Sequence, residues 1–147
     1  MSLRVITTDD ISSIIDMLLI LRDESPEYGD IASDFEYVTE QLFNLIKSPA
    51  FVGLIDEQER GFMFGLITPQ WYSTVLNAYE QLLYVRPEYR GGPLAVRLIK
   101  SFERMVGNFG AHTLYVGTST GIKEEKTISL YERLGYERHG GGLRKRM

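Results

Sequence analysis

Cysteine is absent from this 147-residue sequence. That excludes disulfides, a thiolate nucleophile, cysteine-ligated zinc and iron–sulfur clusters. Histidine is scarce, with only His112 and His139. A histidine-based metal site is therefore poorly supplied, and no metal is expected. Long apolar runs are also missing. The longest, residues 17–21, falls far short of the roughly 20 residues that cross a bilayer. The opening residues Met1-Ser2-Leu3-Arg4-Val5 lack the basic segment and apolar core of a cleavable signal. A cytoplasmic protein with no membrane partner is the expectation. Positive charge is in deficit as well. A net charge of −4 and a pI of about 5.2 argue against nucleic acid as the main partner.

What is present is an ordinary globular composition, 44% hydrophobic and 24% charged. Such a chain has enough apolar surface to fold. Its length suits one domain over residues 1–147.

Periodicity orders the elements. Residues 3–6 read as a first strand, and Thr7-Thr8-Asp9-Asp10 supplies a helix cap and first-turn acids. Ile11, Ile14, Ile15, Leu18 and Leu21 then recur at helical spacing. Ser33-Asp34-Phe35-Glu36 has the form of a capping box, opening a helix with a stripe of Phe35, Val38, Leu42, Leu45 and Ile46. Pro49 ends it. Residues 50–55 and 60–67 are apolar runs around the polar turn Asp56-Glu57-Gln58-Glu59, a hairpin signature. A loop with Trp71 and Tyr72 leads to a strand over 78–85. The next helix shows Leu94, Leu98, Phe102 and Met105 on one face and is closed by Gly107 and Gly110. Residues 113–117 read as a strand and 124–134 as a short helix stopped by Gly135. Two final strands are expected, from Tyr136 and over 143–147, turning at Gly140-Gly141-Gly142. The order is β-α-α-β-β-β-α-β-α-β-β.

The chemistry concentrates between Leu82 and Phe102. A hydrophobic strand feeds a loop with Arg90, Gly91 and Gly92, which opens directly into a helix. The first turn of a helix has unpaired N–H groups and the positive end of the dipole. Glycine lets the backbone approach a phosphate closely, and Arg90 adds a fixed positive charge. The junction therefore suits a diphosphate. It is neither a Walker A loop nor the dinucleotide fingerprint. Taken alone, Arg90-Gly91-Gly92-Pro93 reads more simply as a turn with Pro93 at the first helical position.

Context changes that weighing. The stretch from Leu83 through Arg90 to Ala95 resembles motif A of the GNAT superfamily of N-acetyltransferases, written Arg/Gln-x-x-Gly-x-Gly/Ala. Arg90 matches its first position and Ala95 its last. Leu130-Tyr131-Glu132-Arg133-Leu134-Gly135-Tyr136 is similar to the family's Tyr-Glu-Lys-Leu-Gly-Phe segment. The element order is also the family's, so the resemblance spans nearly the whole chain. It looks most like small members from phages and bacteria.

The resemblance implies an α/β (α+β) fold, a mixed, mainly antiparallel twisted sheet of six to seven strands flanked by about four helices. It implies acetyl-CoA as acyl donor, bound where the strands at 78–85 and 113–117 splay apart. The pyrophosphate would sit on Arg90, Gly91, Gly92, Leu94 and Ala95. The pantetheine would pair with the backbone of Leu83, Tyr84 and Val85. Transfer to an amine would be direct, with no covalent enzyme intermediate, which agrees with the absence of cysteine.

Tyr131 is then the candidate general acid for the leaving thiolate, and the alternative is a core tyrosine on a face with Ile128 and Leu134. Glu80 is the candidate general base, and the alternative is a solvated strand glutamate. Trp71, Tyr72 and Tyr79 are candidates for an acceptor pocket or for packing. His112 is expected at a strand start and His139 on a surface hairpin. Arg144-Lys145-Arg146 reads as a solvated terminal strand.

Two positions depart from the family pattern. Pro93 stands where the family has glycine, and proline has no N–H for a phosphate oxygen. Glu124 stands seven residues before the motif tyrosine, where many relatives have asparagine; Ser119, Thr120 and Thr127 are the nearby substitutes. Both departures feed a competing function, a GNAT-fold binding or structural module without turnover. The sequence leaves the amine acceptor open, whether small molecule or protein. A homodimer is the assembly common among similar proteins.

Overall fold

The computed structural model describes residues 2–27, 34–118 and 120–147. Five strands, β1 (Leu3–Val5), β2 (Phe51–Asp56), β3 (Gly61–Pro69), β4 (Leu76–Val85) and β5 (Thr113–Tyr115), form one sheet in sequence order. The first three pairings are antiparallel, and β4 pairs β5 in parallel. The helices are α1 (Ile11–Glu24), α2 (Phe35–Lys47), α3 (Leu94–Asn108) and α4 (Glu124–Arg133).

Strand alternation divides the core in two. Val52, Leu54, Met63, Ala78 and Val85 turn to one face and pack with Leu98, Ile99 and Phe102 of α3 and Tyr131 of α4. Ile55, Phe62, Phe64 and Tyr84 turn to the other and pack with Ile14, Met17 and Leu21 of α1 and Leu42 of α2. The result is a three-layer arrangement, helices on both faces of one sheet.

Local chemistry sets the boundaries. Asp10 is more than a first-turn acid: it is buried, accepts from the Thr7 N–H at 2.8 Å and grips the Arg4 guanidinium at 2.6 and 2.8 Å. The α2 cap is Asp34, whose side chain accepts from the Tyr37 N–H at 3.1 Å. Ser33, the expected capping serine, lies outside the described residues. Phe35 is exposed rather than part of the buried stripe. The β2–β3 turn is held by Asp56, which accepts from the backbone of Gln58 and Arg60 and pairs with the Arg60 side chain at 2.6 and 2.9 Å.

Among the described residues the sheet has five strands where six to seven are expected. Residues 136–147 form no strand. After Tyr136 this segment offers only Leu143 and Met147 as apolar anchors, and both are fully exposed. Three consecutive glycines add a backbone-entropy cost that no packing offsets. The tail is tied down instead by polar contact, an Arg144–Glu27 ion pair, while His139 lies against Tyr115.

Candidate active site

The parallel pairing of β4 and β5 is brief. It covers Asn77↔Thr113, Ala78↔Leu114 and Tyr79↔Tyr115, then stops. At the same point β4 bulges against β3: Phe64 faces Leu82 and Gly65 faces Glu80, leaving Gln81 unpaired. A bulge bends its strand and increases the twist, so β4 turns away from β5 here. Gly65 is what allows the bend. A Cβ at that position would stand 2.2 Å from the Tyr79 carbonyl oxygen.

The gap opens into a cleft of about 620 Å³ between β4, the loop before α3, and α4. Beyond the bulge, the Arg86 N–H bonds the Arg60 carbonyl at 2.8 Å on the β3 side. Alternation then directs the N–H and C=O groups of Leu83 and Val85 to the cleft side. The Val85 carbonyl fits this, since it accepts from Arg90 Nε at 2.8 Å.

Leu83, Tyr84, Val85, Arg90, Gly91, Gly92 and Ala95 all border the cleft, as do Glu80 and Tyr131. Leu94 does not. Its side chain is buried in the core under the sheet, which leaves only its backbone for a ligand. Gly91 turns the chain with φ +85°, a conformation that suits glycine. Pro93 sits one position earlier than expected. It is the cap residue, its carbonyl accepting from the Arg97 N–H at 3.1 Å, and the helix proper starts at Leu94. The missing N–H therefore lies outside the first turn. The Leu94, Ala95 and Val96 donors of that turn are kept.

Arg90 is not the free cation that the sequence suggested. Its guanidinium holds Glu24 at the end of α1 with two bonds, of 2.6 and 2.8 Å, and lies over the Tyr84 ring. The Tyr84 hydroxyl donates to the same carboxylate at 2.9 Å. Arg90 beside Glu24 holds that carboxyl below its ordinary range, with Tyr84 helping and burial opposing. Both partners are about three-quarters buried, at 26% and 24% exposure, so the pair is only partly screened. Arg90→Ala should lower stability by about 2 kcal/mol, the scale of a hydrogen-bonded charge. Thermal melts should show a fall of roughly 5–8 °C. Because Glu24 titrates low, this contribution is present above pH about 4.5 and drains away as pH falls below it. Wild type and variant should therefore converge in acid.

Glu80 occupies the point where the strands part. One of its carboxylate oxygens accepts from the Gly117 N–H across the gap at 3.1 Å. Burial pushes its carboxyl up to about 7, and the Gly117 bond opposes this weakly. Tyr131 projects from α4 into the same region at 4% exposure, and its hydroxyl has no hydrogen-bond partner. Burial first, then the charge of Glu80, then Tyr136, push the phenol well above its ordinary range. The pair thus offers a proton acceptor that titrates near neutrality and a phenol that stays protonated.

Other expected residues fall elsewhere. Trp71 and Tyr72 pack edge to face on an exposed loop away from the cleft. Tyr79 stacks on Tyr115 at 5.3 Å, outside the cleft lining. Glu124 is exposed and borders no part of the cleft, while Thr120 and Thr127 do. Ser119 lies outside the described residues. His112 stands just before β5, with its N–H on the Leu76 carbonyl. Three groups went unread in the sequence: Glu24, Lys123 and Lys126. Glu24 is 66 residues from Arg90, and no local pattern joins them. The lysines were findable, because Lys123, Lys126, Thr127, Leu130 and Tyr131 follow helical spacing and all border the cleft.

No curated protein matches the chain. Solved structures match it over nearly its full length. A transcriptional regulator from Bacillus halodurans has TM-score 0.81 at 16% identity, covering 99% of each chain. An aminoglycoside acetyltransferase from an uncultured soil metagenomic sample has TM-score 0.72 at 20% identity, covering 100% of this chain and 99% of the other. The ribosomal-protein-alanine N-acetyltransferase of Brucella melitensis has TM-score 0.73 at 15% identity, covering 100% of both. At such identities these likenesses establish the fold. The family model described as an acetyltransferase (GNAT) domain matches residues 47–138, a span that holds the bulged strand, the loop from Arg90 and the helix of Tyr131, and the chain belongs to that family.

Proposed function

We propose that this chain is an acetyl-CoA-dependent N-acetyltransferase, one catalytic domain over residues 1–147 that moves an acetyl group directly to an amine. The observation that carries the reading is one cleft joining a titratable carboxylate, an unpartnered buried phenol and an open helix start. An acyl-CoA supplies what each part lacks. Gly91, Gly92 and the first turn of α3 give N–H groups to its diphosphate. Leu83 and Val85 present backbone groups to its amides in the manner of an added strand. The Tyr131 hydroxyl finds an acceptor in the thioester sulfur.

In the transfer, Glu80 takes a proton from the incoming ammonium, directly or through one water. The nitrogen then attacks the thioester carbon; the C–N bond forms, the C–S bond breaks, and the second proton of the nitrogen passes to the departing thiolate, directly or through water. Tyr131 donates its hydrogen bond to the sulfur as negative charge collects there. Among the described residues, no group of three or more His, Asp or Glu is placed to hold a metal ion.

Solved structures of similar fold include an aminoglycoside acetyltransferase and a ribosomal-protein-alanine N-acetyltransferase. The acceptor class for this chain is therefore sought among both small polyamines and peptide amines. The test is thiol release from acetyl-CoA across a panel of both. Amine-dependent release is the expected result. Binding without release by any amine would favour the competing reading, a binding module of the same fold, to which the commitment of Arg90 to Glu24 already lends some support.

A further inference from the structure

The cleft has a second cationic wall that the family motif does not describe. Lys123, the cap residue of α4, and Lys126 and Arg133 within that helix border it, as do Gly91 and Gly92. Among the described residues, none of the three makes an ion pair. Among the described residues that line the cleft, Glu80 is the one carboxylate. Arg90 is already neutralised by Glu24. In a chain of net charge −4, this is a local excess of positive charge, and a concave low-dielectric wall strengthens its field.

The excess has a position along the cleft. The segment before Lys123 is tied to the end of α1, where the Ser25 hydroxyl donates to the Thr120 carbonyl. Glu24 of that same end holds Arg90 and feels the charge of Lys123, so Lys123 stands at the end where Arg90 and Gly91 lie. Tyr131 is eight residues further along α4, roughly 12 Å away at helical rise. Glu80 and Val85 are likewise separated by roughly 17 Å of β4. The proton-transfer pair is at one end of the cleft and the unpaired lysines are at the other. At the proton-transfer end, the orphaned Tyr131 hydroxyl is a buried donor that a ligand atom would satisfy.

We infer that Lys123 and Lys126, rather than Arg90, supply the charge that holds the phosphates of the donor. Arg90 is then a positioning residue, which fixes the loop of Gly91 and Gly92 by tying it to α1. The inference rests on the acyl-CoA reading for the identity of the ligand, but not for the anion site itself.

The test is calorimetric titration with CoA and, separately, with inorganic pyrophosphate. Wild type is compared with Lys123→Ala/Lys126→Ala and with Lys100→Ala/Arg104→Ala, which removes two exposed cations away from the cleft. We expect the first variant to bind both probes at least tenfold more weakly, with a shallower dependence on salt. The second should bind as wild type does. Undiminished CoA affinity in Lys123→Ala/Lys126→Ala would overturn the inference and leave the acetyltransferase reading standing. Lysine-dependent binding of pyrophosphate without any binding of CoA would uphold the anion site and overturn the acetyltransferase reading. Failure of wild type to bind either probe would end both. Lys126→Glu alone, a change at one exposed helix position, should also weaken binding at least tenfold and guards against a folding defect in the double variant.

Discussion

Glu80→Gln is expected to lower kcat/KM for amine acetylation by about 10²–10⁴-fold, the range for loss of a positioned general base. It should do so while making the protein more stable in alkali. Both outcomes come from one placement. The carboxyl is half-buried at the parting of β4 and β5, and the loss of water there raises it to about 7. A base titrating there gives kcat/KM that climbs with pH through about 7 and then levels. The variant should lose that climb. The stability effect has the opposite sign. A carboxyl whose folded value lies above its ordinary 4.5 favours folding in its neutral form. Its contribution is complete below pH about 4.5 and is lost as pH rises through about 7. Above that, the charged form costs on the order of 2–3 kcal/mol. Glutamine keeps an oxygen for the Gly117 N–H and never charges. At pH 9 the variant should therefore melt above wild type, and at pH 4 the two should coincide. A wild-type rate that rises only with the ionisation of the free amine would remove Glu80 from the mechanism.

Tyr131→Phe should separate activity from stability just as sharply. Its hydroxyl is buried without a partner, and an unsatisfied buried polar group costs about 1–3 kcal/mol. Phenylalanine keeps the ring in contact with Tyr136, whose centroid is 5.1 Å away. The melting temperature should hold or rise. Turnover should fall by about 10²–10³-fold, the usual loss when one donor to developing charge is removed. In the proposed transfer, a phenol that titrates so high would hydrogen-bond the sulfur rather than give its proton up fully. A thiolate of ordinary pKa near 8.5 is too weak a base to deprotonate it. The rate with Tyr131 present should accordingly show no loss in alkali up to pH about 9, below the ordinary phenol range. Full activity in Tyr131→Phe would show a packing residue, the alternative that the spacing of Ile128 and Leu134 had left open.

Much of this was legible in the sequence because periodicity and punctuation act locally. The alternation in β2 and β3, the proline after α2 and the glycines after α3 and α4 place the elements within a few residues. The loop from Arg90 to Ala95 was legible because a strand, a glycine turn and a helix start are contiguous. What depends on long-range pairing was not. The Gln81 bulge exists only through the register against Gly65, and Gly65 reads in sequence as one more small strand residue. The commitment of Arg90 to Glu24 joins the end of the first helix to a loop far along the chain. The terminal strands were over-read, because a few apolar and basic residues around three glycines satisfy a strand pattern without the buried face that a strand needs.

The central claim is that the cleft between β4, α3 and α4 holds an acyl-CoA, and a thermal shift with acetyl-CoA tests it most directly. A ligand at 100 times its Kd stabilises the folded state by about 2.7 kcal/mol. For a chain of this length that predicts a rise in melting temperature of roughly 5–10 °C. A melting temperature unchanged at millimolar acetyl-CoA would contradict the account.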